Sequence, residues 1–253
     1  MEVNILFKRV AIISLLVMIA TYFIKDILPT PEYYGNTLIK EPTQNKSSKK
    51  PFKIEANQEH YRITPKYEYS LEGVVVSTHN ADAFLNMAHH EEWRDFINMR
   101  DLCIIWGDNV KSGVYKDMQF ENGNWTCWYS WPNANVRQRF RNNQLSNNHL
   151  LAGEESIKRA IMEAQAGDHI HIEGMLVNYA NPVNNFKRGT STTRTDTGQG
   201  ACETIYVEKF DIIKKANTLK RGIFNIAKFL FILSIIALLS LFIISLRKPN
   251  FNS

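Results

Sequence analysis

The chain has 253 residues, 44% of them hydrophobic, with a formal net charge of +5 and a balance of 30 Lys and Arg against 25 Asp and Glu. The length leaves room for one ordinary domain once two apolar segments are set aside, with an adequate core that needs no disulfide or metal to stabilise it. Part of the positive excess lies in residues 46–53 and beside the apolar segments, which favours lipid head groups or solvent over nucleic acid as its neighbour.

The apolar segments lie at residues 10–24 and 229–246. A membrane-spanning helix needs about 20 predominantly apolar residues, and in lipid a helix satisfies its own backbone groups. The first segment is short, and the Lys8-Arg9 pair before it also fits a signal peptide, but no A-x-A-like cleavage site follows Ile24. We therefore expect an N-terminal anchor at residues 1–28 and a transmembrane helix at residues 222–246.

The charges beside the two segments predict the topology. Lys8 and Arg9 favour a cytoplasmic N-terminus. The basic flank at residues 214–221 by itself favours the opposite orientation. Because the first helix usually dominates and long loops translocate largely regardless of charge, we expect the central domain outside the cytoplasm.

The central part divides into a linker and a folded domain. Residues 29–60 have the Pro, Ser, Asn, Gln and Lys content of a linker, and the domain is expected at residues 61–215. In chain order the patterns predict a strand at 70–78, a helix at 81–99, a strand at 102–106, a hairpin of 114–120 and 125–131 around Asn122-Gly123, a helix at 154–165, and strands at 168–179 and 204–213. These elements predict an α+β, sheet-dominated domain, and Gly174 within a strand would suit the bend of a small OB-type barrel.

Three cysteines, Cys103, Cys127 and Cys202, permit one internal disulfide and leave one thiol. If the domain lies outside the cytoplasm, we expect two of them to be oxidised and the third to be free and buried. The spacing does not choose the pair.

Neither a metal site nor a cofactor is predicted. His169, His171 and Glu173 would project from one face of a strand, but successive positions on that face are too far apart to converge on one ion. The His89-His90 pair on the predicted first helix is interpreted as a solvated face.

An aromatic series, Trp125, Trp128, Tyr129 and Trp131, follows the hairpin dipeptide. Alternation places Trp128 on the opposite strand face from the other three. The series predicts either a core of large side chains or a stacking platform for bases or sugars.

Two polar stretches, residues 144–151 and 187–203, carry more hydrogen-bonding groups than ordinary loops. The second is rich in hydroxyl groups and glycine but lacks the Walker pattern. We expect Arg194 to bind an anion or carboxylate as a fork donor, Asp196 to orient it, and His149 to add a hydrogen bond or a proton. The predicted ligand-binding residues are His149, Arg194, Asp196, Ser146 and Asn148. The alternative is that these residues cap a helix and hold loops in place.

The strings LCIIWG, WTCWYSWP, LSNNHLL, GDHIHIEGMLVNY and GTSTTRTDTGQGACETIYV resemble an uncharacterised family of bacterial membrane-anchored proteins. The resemblance covers roughly residues 67–213. It implies a bacterial inner-membrane protein and no known activity.

These features predict a non-enzymatic, double-anchored membrane protein whose domain binds a protein partner or an anionic ligand, in contact with membrane lipid. Cys202 with His149 upstream also resembles the sortases in outline, which would imply a Cys/His enzyme. The TLxTC string is absent, however, and Arg194 precedes the cysteine instead of following it. A cytoplasmic nucleic-acid binder of OB type is the remaining alternative.

Overall fold

The computed structural model describes residues 2–35, 40–81, 93–123, 125–196, 198 and 200–247. The chain divides into two compact units. The terminal unit comprises Met1–Ile27 and Asn217–Ser253, and the β unit comprises Leu28–Ala216.

The helices are α1 (Glu2–Tyr22), α2 (Pro31–Tyr34), α3 (Gly107–Lys111), α4 (Ala134–Arg139), α5 (Glu155–Glu163) and α6 (Thr218–Arg247). The strands are β1 (Thr43–Lys46), β2 (Phe52–Ala56), β3 (Glu59–Asn80), β4 (Asn98–Ile105), β5 (Gln119–Gly123), β6 (Thr126–Ser130), β7 (Leu145–Leu151), β8 (His169–Asn181), β9 (Phe186–Arg188) and β10 (Glu203–Lys214). Single 3₁₀ turns span Val114–Asp117 and Asn142–Gln144.

In the terminal unit, α1 and α6 pack against each other. Their stretches Val3–Tyr22 and Thr218–Leu246 are long and apolar enough to cross a membrane. Apart from Arg221, the buried side chains among the described residues of this unit are small: Ala11, Ser14 and Thr21 on α1, and Ala227 and Ser234 on α6. Small residues let two helix backbones approach closely, as at helix interfaces within membranes. Both predicted apolar helices are therefore present.

Five strands of the β unit form a closed ring. The ladders run β3-β4-β7-β10-β8, and β8 pairs again with β3. The β7–β10 ladder is parallel and the other four are antiparallel. β1 and β2 pair with β3 outside the ring, and β9 pairs with β8. The expected α+β, sheet-dominated fold class is confirmed.

One hydrophobic cluster draws side chains from all five ring strands, and this cluster identifies the inside of the ring. Its members include Leu71, Leu102, Leu150, Ile172 and Ile205, and Ile161 of α5 packs into the same cluster. Side chains alternate between the two faces of a strand. Ser146 and Asn148 therefore point inward with Leu150, while Asn147 and His149 point outward with Leu151.

A two-stranded hairpin of β5 and β6 covers the outer face of β3 and β4. Phe120, Cys127 and Tyr129 pack into a second cluster with Cys103 and Ile105 of β4. A disulfide joins Cys103 to Cys127, with their Cα atoms 5.8 Å apart. The hairpin is thus covalently fixed to the ring.

Close backbone approach explains the glycine in β8. A Cβ atom at Gly174 would lie 2.1 Å from the carbonyl oxygen of Tyr206 on β10. The β10 register shifts between Val207 and Lys209 at the same level. Only glycine permits the strands to pair this closely where the sheet bends.

One buried carboxylate fixes the C-terminal end of the β unit. Asp168 Oδ1 accepts from the backbone N–H of Ala216 at 2.8 Å, and Oδ2 accepts from that of Gln165 at 2.9 Å. The ring of Tyr33, near the other end, stacks beneath Lys214 Nζ at 3.9 Å from its centroid. The chain therefore enters and leaves the β unit at the same place.

Four sequence predictions differ from the structure. The strand predicted at 114–120 begins only at Gln119, because Val114–Asp117 forms a 3₁₀ turn, and Asn122-Gly123 pairs within the hairpin instead of forming its turn. Residues 29–60, expected as a linker, contain α2, β1 and β2, because long β3 offers edges on which polar segments pair through their backbones. The helix predicted at 81–99 lies mostly outside the described residues, as do His89 and His90. Its last part is wrong, because Asn98–Ile105 is strand β4. The polar run at 145–151 is strand β7 and not a capping segment.

Candidate functional site

The inward polar residues of β7 bond to one another inside the ring. Ser146 Oγ donates to Asn148 Oδ1 at 3.2 Å, and Asn148 Nδ2 donates to the carbonyl of Leu102 at 3.1 Å. Asn148 is fully buried. Buried polar groups cost free energy unless they are hydrogen-bonded, so these two predicted ligand-binding residues satisfy each other and the ring backbone.

Arg194 reaches the inside of the ring from the loop between β9 and β10. Its Nη1 donates to Glu203 Oε1 at 2.8 Å, and its Nη2 donates to Tyr69 Oη at 3.1 Å. The guanidinium carbon lies 5.2 Å from the Tyr69 ring centroid and 6.0 Å from that of Trp106. We name this set of Arg194, Glu203, Tyr69 and Trp106 the inner cluster.

Glu203 is the buried carboxyl group of the inner cluster. Burial raises its pKa to about 8, although the Arg194 guanidinium acts in the opposite direction. Its Oε2 has no hydrogen-bond partner among the described residues. In the register of β10 and β7, Glu203 lies opposite Asn148. Two of the predicted ligand-binding residues therefore flank one buried carboxyl group.

Asp196 organises the loop that carries Arg194. Ser191 Oγ donates to Asp196 Oδ2 at 2.7 Å, and Ser191 Oγ also accepts from the backbone N–H of Thr193 at 3.2 Å. Since Nη1 of Arg194 is already bonded to Glu203 and Nη2 to Tyr69, the observed geometry offers an incoming anion no free fork of guanidinium donors. The observed bonds of Arg194 and Asp196 agree with the alternative interpretation, in which these residues hold the loop in place.

His149 lies on the outer face of the ring, bonded at both ring nitrogens. Its Nδ1 lies 2.6 Å from Asp101 Oδ1, and Arg188 Nη2 donates to its Nε2. An arginine only donates, so Nε2 accepts and the proton resides on Nδ1. His149 and Asp101 are both completely buried. We name His149, Asp101 and Arg188 the outer cluster.

The electrostatics of the outer cluster agree with a neutral imidazole beside an ionised carboxylate. Burial lowers the pKa of His149, and Arg188 lowers it further, against the raising effect of Asp101. Burial raises the pKa of Asp101, but His149, Asn98 and Arg188 together outweigh it and hold that pKa below its usual value. Arg188 and Asp101 thus compensate each other's charge through the ring of His149.

Trp125 covers the outer cluster in an unusual backbone conformation. Its φ of +70° lies in the left-handed region, which bulky side chains rarely adopt. The Arg188 guanidinium lies 3.6 Å from its ring centroid, and the rings of His149 and Trp93 lie at 5.4 and 5.1 Å. These contacts offset the cost of the strained backbone.

Cys202 is the free cysteine, on the same outer face as His149. Its Sγ donates to the carbonyl of Trp125 at 3.4 Å, and Asn147 Nδ2 approaches Sγ at 3.5 Å. Burial raises the pKa of the thiol. A nucleophilic cysteine needs a lowered pKa or an adjacent free base. Here both nitrogens of His149 are engaged by Asp101 and Arg188, so the thiol is not activated in this arrangement.

The histidines of β8 also bind separate partners. His169 Nε2 lies 2.8 Å from Glu72 Oε1, and His171 Nε2 lies 3.0 Å from Ser70 Oγ. Among the described residues, no group of three or more His, Cys, Asp or Glu side chains is placed to hold a metal ion.

The ring separates the predicted site residues. Arg194, Ser146 and Asn148 belong to its inside, Asp196 lies in the loop with Arg194, and His149 lies outside. Sequence reasoning missed Glu203, Asp101 and Arg188. The available signal for the two acidic residues was charge in or at the start of an apolar strand, as in NMRDLCII and ETIYV, which indicates a buried charge that needs a partner. No such signal marks Arg188.

Comparisons with protein-family models, with curated proteins and with solved structures find no match to this chain. The resemblance to a bacterial membrane-anchored family stays a prediction.

Proposed function

We propose that the chain is a two-pass bacterial membrane protein that presents the β unit outside the cytoplasm, where the unit binds a partner or ligand without catalysing a reaction. The two apolar helices that bracket the β unit support the double anchor. The Lys8-Arg9 pair supports a cytoplasmic N-terminus.

The observation that carries the proposal is the Cys103–Cys127 disulfide between the hairpin and the ring. Disulfides persist in oxidising compartments such as the periplasm and the cell surface, and are rare in the cytosol. One oxidised pair and one free thiol, Cys202, agree with the expectation for an external domain, except that this thiol is half-buried and not fully buried.

We further propose that the ring is a barrel of the OB type. A closed ring of five strands, a helix between its third and fourth members, β7 and β8, and a bend at Gly174 support this. OB folds bind oligonucleotides on the face of their second and third strands. The corresponding outer face of β4 and β7 is covered here by the hairpin and by Trp125, which favours a different ligand surface.

The geometry also favours a binding module over a Cys/His enzyme. Cys202 and His149 share a face of adjacent strands, as the sortase-like alternative requires. However, Arg188 blocks the nitrogen of His149 that would take the thiol proton.

Cysteine accessibility tests the topology. Val183 is 68% exposed in the turn between β8 and β9, so Val183→Cys in a Cys202→Ser background places one reactive thiol on the surface of the full-length chain. In intact spheroplasts we expect a membrane-impermeant maleimide to label this thiol. A Cys202→Ser chain without the new cysteine is the matched control. Labelling that appears only after the membrane is permeabilised would place the β unit in the cytoplasm and refute the proposal.

A further inference from the structure

The outward face of the hairpin presents Trp128 to solvent, and Trp131 lies just beyond the end of β6. Trp128 is 64% exposed and Trp131 40% exposed, and they are the exposed aromatic side chains among the described residues of the β unit. The guanidinium of Arg137 lies 5.0 Å from the Trp131 ring centroid and partly covers it. Trp128 therefore offers the open indole face.

Hydrogen-bonding side chains flank this indole. Glu121 lies directly opposite Trp128 in the β5–β6 register, and Gln119 lies opposite Ser130. These four residues alternate with Phe120, Cys127 and Tyr129, which pack inward. One aromatic surface is thus bordered by a carboxylate, an amide and a hydroxyl group.

The hairpin holds Trp128 rigidly. The preceding residue, Cys127, is bonded to Cys103 of the ring. Asn122 accepts from Ser77 Oγ and donates to Asn147 Oδ1 at 2.8 Å, so β5 is tied to two ring strands. A group that is fixed before binding loses little conformational freedom when a ligand arrives. An exposed indole contributes little to folding, so its fixed presentation points to a ligand.

The size and chemistry of the surface select the ligand. A stable protein interface needs roughly 800 Å² per partner with an apolar centre. On the two strands of the hairpin, polar side chains surround Trp128, so this surface lacks the apolar centre that a protein partner requires. A pyranose ring has one apolar face of about the size of an indole and a rim of hydroxyl groups. We propose that this face binds an extracellular glycan, with a sugar ring stacked on Trp128 and its hydroxyl groups bonded to Glu121 and Gln119. The glycan proposal rests on the proposed function only for the compartment, outside the cytoplasm, in which the β unit would encounter the glycan.

The test uses the full-length chain in phosphatidylcholine nanodiscs and calorimetric titration with chitohexaose, cellohexaose and maltohexaose. We expect at least one oligosaccharide to bind, Trp128→Ala to weaken it tenfold or more, and Glu121→Gln to weaken it severalfold. Val183→Ala, which removes an exposed apolar side chain elsewhere on the β unit, is the matched control and should leave the Kd unchanged. Because Trp128 is exposed, Trp128→Ala should keep the melting temperature of the wild type.

Absence of binding to all three oligosaccharides, or equal affinity of the wild type and Trp128→Ala, would overturn the glycan site. A cytoplasmic result in the accessibility test together with Trp128-dependent sugar binding would refute the compartment and leave the site standing.

Discussion

Reduction of the Cys103–Cys127 disulfide should destabilise the β unit by an amount that follows from its loop. The two cysteines are separated by 24 positions. Closing a loop of this length in the unfolded chain removes conformational entropy worth about 3.5 kcal/mol at 25 °C. The bond also clamps the hairpin against Ile105 and the rest of the second hydrophobic cluster, which the reduced protein must hold by packing alone.

The corresponding change in melting temperature is measurable. The β unit spans Leu28–Ala216, and unfolding entropies of about 2.1 cal/mol/K per residue give it roughly 0.4 kcal/mol/K. The loop entropy then corresponds to a fall of about 9 °C. The assay is tryptophan fluorescence of the full-length protein in detergent during heating, with and without a phosphine reductant.

Two variants complete the experiment. Cys127→Ser should melt at the temperature of the reduced wild type and should not respond to reductant. Cys202→Ser should respond as the wild type does, because the free thiol takes no part in the bond. Equal melting temperatures for the oxidised and reduced wild type would refute the loop-entropy reasoning. They would also show that the disulfide does not stabilise the packing of the hairpin on the ring.

Three further predictions concern buried groups. Asp168→Ala leaves the backbone N–H groups of Ala216 and Gln165 without their acceptor, so we expect chemical denaturation to show a loss of about 2–4 kcal/mol in the free energy of unfolding; an unchanged midpoint would show that the carboxylate does not hold the C-terminal end of the β unit. The folded pKa of Glu203, about 8, lies above its ordinary 4.5, so its stabilising contribution is complete below pH 4.5 and is lost as the pH rises through about 8. Between pH 5, 7 and 9 the denaturation midpoint should fall less steeply with rising pH for Glu203→Gln than for the wild type. The same pH dependence in both proteins would contradict this. Gly174→Ala brings a Cβ atom to 2.1 Å from a backbone oxygen and should cost about 3 kcal/mol or more of the free energy of unfolding. In the control Gly189→Ala the nearest contact of the new Cβ atom is at 3.7 Å, so this variant should lower the melting temperature less than Gly174→Ala does.

The sequence by itself determined the elements whose patterns are local. An uninterrupted apolar run such as residues 229–246 has few alternatives to a long helix, and the structure has α6 there. Alternation in residues 168–179 predicted β8, and the apolar stripe of residues 154–165 predicted α5. Alternation also placed Trp128 on the opposite strand face from Tyr129, whereas the turn of the hairpin follows Gly123 and does not use the Asn122-Gly123 dipeptide.

The secondary structure of the polar segments was decided by strands that are distant from them in the sequence. The linker prediction for residues 29–60 missed β1 and β2, because such strands form from backbone pairing on β3 and need no apolar pattern of their own. β7 has few apolar residues, and it is a strand because the ring closes around it and its polar side chains find buried partners.

Only the tertiary structure decided which cysteines pair and which side of the ring each polar residue faces. Cys103 and Cys127 meet because the hairpin folds back onto β4. His149 and Arg194 are predicted to share one site because both lie in polar stretches, yet His149 bonds Asp101 outside the ring and Arg194 bonds Glu203 inside it. A shift of one position along a strand reverses the face of a side chain, and the curvature that makes one face an interior arises only when β8 closes on β3.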